Sequence, residues 1–100
     1  MTWGGSTGRR KAFKDEFDIA LYIARDNPPA AKRLLKLIDD QLQLLADFPG
    51  MGQAREDLMP GLRSYPIKRT YLLMYRPVEG GIELLRVLHG MRNVDQEFRR

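Results

Sequence analysis

His89 is the one side chain in this sequence whose ordinary pKa lies near neutrality, which makes it the natural candidate for a general base. Phosphodiester cleavage needs such a base, a cation to hold the phosphate and a second proton donor. Arg86 and Arg92 flank His89 in sequence, and Arg63 and Arg76 lie upstream, so cations are at hand. The proton donor is not singled out, because Tyr65, Tyr71 and Tyr75 all fall in strand-like runs whose facing stays open. The competing reading of His89, a hydrogen-bonded residue at a strand end, weighs more. The carboxylate pairs Asp39-Asp40 and Glu56-Asp57 are sequence neighbours, and neighbours on a helix do not face one another. There is no Gly-rich phosphate loop and no nucleophile elbow. With no cysteine and a single histidine, no metal and no cofactor are expected.

These residues belong to a stretch, Pro60 to Asn93, that reads as three short strands at about Leu62–Pro66, Lys68–Arg76 and Gly81–His89. Thr, Tyr, Leu, Ile and Val fill the runs, and Pro and Gly separate them. Glu79-Gly80-Gly81 supplies the positive φ of a tight hairpin. Between Leu58 and Val78 stand Arg63, Lys68, Arg69 and Arg76 without any acidic residue, so positive charge is concentrated on the sheet. In the last strand, alternation puts Ile82, Leu84, Arg86 and Leu88 on one face and Glu83, Leu85, Val87 and His89 on the other. Both faces are largely apolar, as in a sheet covered on both sides. One cover is the helical layer; the other is the C-terminal turn or another polypeptide. An incompletely covered apolar face rimmed with Arg is an interface signature, and it favours a partner-binding module over a free-standing enzyme.

The elements that position this sheet come first in the chain. Arg10–Arg25 is an amphipathic helix with Phe13, Phe17, Ala20, Leu21 and Ala24 along one stripe, widened by Ile19, Tyr22 and Ile23. The periodicity assigns Phe13 and Phe17 to the core. Asn27 can cap the next helix, with Pro28 at its first position. That helix runs to about Ala46 and aligns Ala31, Leu34, Leu35, Ile38, Leu42 and Leu45. So short a turn makes the two helices an antiparallel hairpin on the sheet. Residues 47–61 form a loop that Phe48 and Met51 anchor to the core. Val94 and Phe98, at i and i+4, give the tail Met91–Arg100 an apolar edge for a short helical turn capped by Asn93.

One hundred residues allow one domain, with 1–8 a poorly defined N-terminal segment in which Thr2-Trp3 followed by glycines makes a poor strand. The fold class is α+β: an N-terminal antiparallel helical hairpin packed on a small antiparallel β-sheet, with a short C-terminal helical turn. A net charge of +4 suits nucleic acid or an acidic protein and does not choose between them. No apolar run reaches the roughly 18–20 residues that span a bilayer. The N-terminus has no apolar core of a signal peptide, and the chain reads as cytoplasmic.

Five short runs in register carry a family resemblance. Pro60-Gly61-Leu62-Arg63-Ser64, Tyr71 to Tyr75-Arg76, Gly81-Ile82-Glu83 and Arg86-Val87-Leu88-His89-Gly90 resemble the RelE/ParE superfamily of toxins, in its ParE branch. Upstream, Ala12, Asp15, Ile19, Tyr22-Ile23-Ala24 and Asp26-Asn27-Pro28 fit the family's first helix and its exit, and Glu16 stands at a stripe margin where the family carries an apolar residue. The resemblance implies a toxin of a bacterial type II toxin–antitoxin module, acting on DNA gyrase by protein contact rather than as an enzyme. It implies a ParD-like antitoxin that forms a hetero-oligomer with the toxin, using an acidic tail laid across the sheet and its Arg rim. Arg63, Arg69, Arg76, Arg86, His89, Arg92 and Phe98 are the residues expected to meet antitoxin or target, with direct nucleic-acid binding secondary. The alternative is the RelE branch, a ribosome-dependent mRNA endonuclease, in which His89, Arg86 and Arg92 would be catalytic. The late tyrosine of many such nucleases has no counterpart after Tyr75.

Overall fold

Asn27 and Pro28 set the helical layer. The Asn27 side chain accepts the Ala30 N–H at 3.2 Å, and Pro28 occupies a first-turn position whose N–H would otherwise lack a partner. In the computed structural model, which describes residues 7–90 and 94–98, helices α1 (Arg10–Ala24) and α2 (Pro28–Asp47) form the expected hairpin. The α2 stripe of Ala31, Leu34, Ile38, Leu42 and Leu45 is buried, whereas Leu35 is partly exposed. The stripe expected on α1 is corrected. Only Ala12 is fully buried, with Phe13, Ile19 and Ile23 packed against the core, while Phe17 is 65% and Tyr22 72% exposed. α1 rests on α2 and on the last strand through one narrow face, so Phe17, Leu21 and Tyr22 remain largely exposed.

The central meander consists of β3 (Arg63–Ile67), β4 (Tyr71–Val78) and β5 (Gly81–His89). Two short strands extend it on either side: β1 (Thr7–Gly8) lies parallel to β5, and β2 (Gln53–Ala54) antiparallel to β3. The sheet order is therefore β1-β5-β4-β3-β2, a five-stranded mixed sheet rather than a purely antiparallel one. Thr2-Trp3, Arg92, Asn93, Arg99 and Arg100 lie outside the described residues.

The β3–β4 hairpin turns at Lys68 and Arg69, which the strand pattern of the sequence places inside a strand. Their φ angles are +53° and +60°, and the Thr70 N–H closes the turn onto the Ile67 carbonyl at 3.1 Å. A two-residue hairpin demands positive φ to match the strand twist, and for residues with a Cβ this costs about 1 kcal/mol or more apiece. At the β4–β5 turn, Gly80 takes the positive φ without that penalty.

Strict alternation on β5 fails at a bulge: Met74 pairs with Arg86 but Tyr75 pairs with Leu84, leaving Leu85 as the extra residue. Ile82, Leu84 and Val87 consequently face the helices together with Leu73, Tyr75 and Ile67. Leu85 and Leu88 join Leu62, Leu72 and Met74 on the opposite face. That second face is covered by this chain: Val94 and Phe98 of α3 (Val94–Phe98), with Leu58 and Met59 of the preceding loop, pack upon it. Of the two covers that the sequence allows for this face, the C-terminal turn is the one present, and the apolar face is not left incompletely covered. The loop after α2 is held differently from expectation too. Phe48 and Met51 are exposed, and the Tyr75 hydroxyl provides the anchor, accepting the Gly52 N–H at 2.9 Å and donating to the Pro49 carbonyl at 2.6 Å.

Candidate functional site

Arg86, placed by the β5 bulge, reaches the first turns of α1. Its Nε and Nη2 donate to the two Asp15 carboxylate oxygens at 2.6 and 2.9 Å, and its Nη1 donates to Glu97 of α3. Asp15 also accepts the Val87 N–H at 3.0 Å. Both side chains of the Arg86–Asp15 pair are only 15% exposed, and the Asp15 hydrogen bond, helped by Glu97, holds the guanidinium above its ordinary pKa. A cleft of about 290 Å³ opens beside them, lined by Asp15, Asp18, Arg86, His89 and Glu97 among others.

The structure therefore brings Arg86 and His89 to one cleft, but in an acidic setting. The guanidinium is shared by two carboxylates, and Asp18, which pairs with Lys14 at 2.7 Å, completes the wall. His89 is exposed and its ring lies 5.3 Å from that of Tyr71 at 58°. Of the candidate proton donors, Tyr71 alone comes near it. Burial pushes the Tyr71 phenol above its ordinary pKa. Tyr65 packs against the helix-side core, and the Tyr75 hydroxyl is engaged by Gly52 and Pro49.

The other predicted arginines stand apart from this cleft. Arg63 donates to the Gly52 and Gly50 carbonyls, bracing the loop after α2. Arg76 pairs with Glu83 at 2.7 Å, and Arg9 reaches the same carboxylate at 3.3 Å. Burial alone would raise the Glu83 pKa, but the hydrogen bonds from Arg76 and Arg9 outweigh it and hold the carboxyl below its usual value. Arg69 projects from the β3–β4 turn, exposed. Phe98 is half-buried on the second face of the sheet. Arg92 lies outside the described residues.

A second concave surface was not anticipated. Phe13, Phe17, Ala20 and Leu35 line a groove of about 740 Å³ between α1 and α2, with Glu16, Lys36 and Asp39 at its margin. Burial, and secondarily the charge of Asp39, pushes the Glu16 carboxyl up to about 7. The signal in the sequence was Glu16 itself, an acidic residue set between Phe13 and Phe17. Among the described residues no group of His, Cys, Asp and Glu is arranged to hold a metal ion, and no helix is long and apolar enough to cross a membrane.

Known proteins resemble this chain in sequence and in fold. Toxin ParE3 of Caulobacter vibrioides is 34% identical over 64 residues, an alignment covering 64% of this chain and 63% of that protein. The chain thus spans somewhat less than two thirds of the length of this relative. A solved structure described as the chromosomal ParDE TA system from P. aeruginosa superposes with a TM-score of 0.72 at 23% identity, covering 86% of this chain and 95% of the other, which shows a common fold. The family profile described as ParE toxin of type II toxin-antitoxin system, parDE, matches residues 9–94, which take in the helical hairpin, strands β2 to β5 with the bulge, and the Arg86–Asp15 pair, and this chain belongs to the ParE toxin family.

Proposed function

We propose that this ParE-type toxin inhibits DNA gyrase by protein–protein contact in the cytoplasm, and that a cognate ParD-like antitoxin neutralises it in a hetero-oligomeric complex. The observation that carries the reading is the state of Arg86. A cation that must hold a scissile phosphate has to be free of competing anions, and this one is bonded to Asp15 and Glu97 beside a third carboxylate, Asp18. A phosphodiester entering beside His89 would meet net negative charge. Contact with protein is better provided for, since Phe17, Leu21 and Tyr22 on α1 and Leu35 on α2 are exposed apolar groups.

The antitoxin is expected to cover this apolar surface as well as the sheet cations. Arg63 and Arg76 are already bonded within the chain, so an acidic tail alone gains less from them than from the free cations at the β3–β4 turn. The decisive experiment pairs two assays on the purified toxin: gyrase supercoiling and ribosome-dependent mRNA cleavage. Inhibition of supercoiling, relieved by antitoxin, with intact mRNA is the expected result. Cleaved mRNA with unimpaired supercoiling overturns the proposal in favour of the RelE-like endonuclease.

A further inference from the structure

The cations around the sheet divide into two groups. Arg9, Arg63, Arg76 and Arg86 are each bonded to carboxylates or carbonyls of this chain. Lys68 and Arg69 are exposed, and no carboxylate among the described residues lies within ion-pair reach of either. They are also the two non-glycine residues with positive φ among those described, in a turn where Asn and Gly are the favoured occupants. Two adjacent cations thus stand in a strained turn with no ion-pair partner among the described residues. The turn is nonetheless braced. The Thr70 hydroxyl donates to the Lys68 carbonyl at 3.1 Å, and the Gly90 N–H donates to the Thr70 carbonyl at 2.7 Å, tying the tip to the end of β5.

We infer that the Lys68–Arg69 tip of the β3–β4 hairpin is a prong that contacts the phosphate backbone of duplex DNA. Two neighbouring side chains with several N–H donors suit neighbouring phosphates, the contacts that position a protein on a duplex without reading its sequence. The choice of duplex DNA follows from shape. A two-stranded β-ribbon fits the major groove of B-form DNA, about 12 Å wide, whereas the deep, narrow major groove of A-form RNA does not admit it. Ile67 to Thr70 include no aromatic ring on which a single-stranded base could stack. The gyrase reading determines only which DNA is met in the cell, because the contact itself needs no gyrase.

The test uses Lys68→Asn/Arg69→Gly, which removes both charges while installing the residues that this turn prefers, so the variant folds at least as well as the parent. Fluorescence anisotropy with a short labelled DNA duplex should show affinity falling about tenfold or more at low salt. The slope of log K against log salt should become shallower by about 1.8, because each phosphate that the tip no longer neutralises accounts for roughly 0.9. The melting temperature should hold or rise. A control, Lys32→Gln/Arg33→Gln, removes equal charge from the exposed face of α2 and should leave DNA affinity nearly unchanged. The inference is overturned if the parent binds no duplex DNA, if the tip variant binds it like the parent, or if the α2 control weakens binding as much. Preference for an A-form RNA duplex or for polyglutamate over the DNA duplex overturns it as well. A parent that binds DNA through the tip yet leaves supercoiling untouched refutes the gyrase reading and upholds this one. A parent that blocks supercoiling while the tip variant keeps its DNA affinity does the reverse.

Discussion

Asp15 and Val87, far apart in sequence, share a hydrogen bond at the edge of the sheet: the carboxylate accepts the Val87 N–H at 3.0 Å while its two oxygens clasp the Arg86 guanidinium. β1 ends at Gly8, opposite Leu84, and Asp15 supplies an acceptor to β5 beyond that point. One carboxylate thus joins α1 to the sheet edge, neutralises Arg86 and, through Arg86, steadies Glu97 on α3.

Removing it should be costly. Asp15→Ala leaves a largely buried guanidinium with Glu97 alone and a strand N–H without its acceptor, so a loss of about 2–4 kcal/mol is expected. Asp15→Asn keeps an oxygen for Val87 and should lose less. Urea unfolding with the midpoint of Asp15→Ala equal to that of the parent would show that the clasp contributes nothing.

The Tyr75 hydroxyl gives a second handle on stability. Tyr75→Phe leaves the Gly52 N–H and the Pro49 carbonyl without their partner, at a cost of about 1–3 kcal/mol. Gly52→Ala should be worse, because an added Cβ would sit 2.4 Å from the Tyr75 hydroxyl and 2.9 Å from the Ser64 carbonyl oxygen. Thermal melts of the two variants check both the direction and the order.

Glu16 predicts a pH dependence. Its folded pKa of about 7 lies above the ordinary 4.5, so the folded state binds the proton more tightly than the unfolded state. The stability that the protonated form contributes is complete below about pH 4.5 and is lost as pH rises to about 7. Glu16→Gln should remove that slope and, after discounting for solvent screening, stabilise the protein at pH 8 by about 1–2 kcal/mol. Parallel stability–pH curves for parent and variant between pH 5 and 7.5 would refute the assignment.

His89 separates the two toxic mechanisms. On the gyrase reading, His89→Gln leaves toxicity largely intact, and poisoned cells show DNA damage before translation stops. A nuclease that relied on this base would instead lose about 10²–10⁴-fold in cleavage. Toxicity and mRNA cleavage abolished together by His89→Gln, with the variant folded, count against gyrase contact.

Much of this architecture was legible because it follows from periodicity. The Ala31–Leu45 stripe, the Asn27-Pro28 start and the three central strands each have a local signature. What escaped depends on pairing between distant segments. Leu85 becomes a bulge only because β4 pairs as it does, and no β5 pattern announces it. Lys68-Arg69 lacks the glycine that marks such a turn. Phe17 satisfies helical periodicity yet remains mostly exposed, on the open groove between α1 and α2. At the site, Arg86 and His89 were found by residue type, but the carboxylates that claim Arg86 come from α1 and α3, and only the tertiary structure unites them.

The extra residue at Leu85 makes β5 a strand with two phases. Up to Leu84 one set of positions faces the helices, and from Val87 onward that set has changed parity. Deleting Leu85 would therefore restore an unbroken alternation, with Leu84 directly before Arg86. Ile82, Leu84 and Val87 would keep their places on the helix side, and the second core would lose one leucine side chain. Length changes in the Glu79–Gly80 turn preserve that parity and should be absorbed. Elsewhere in β5 a single codon removed or added turns one segment of the strand over and exchanges its linings, so Leu85 is the position at which this strand best tolerates a deletion.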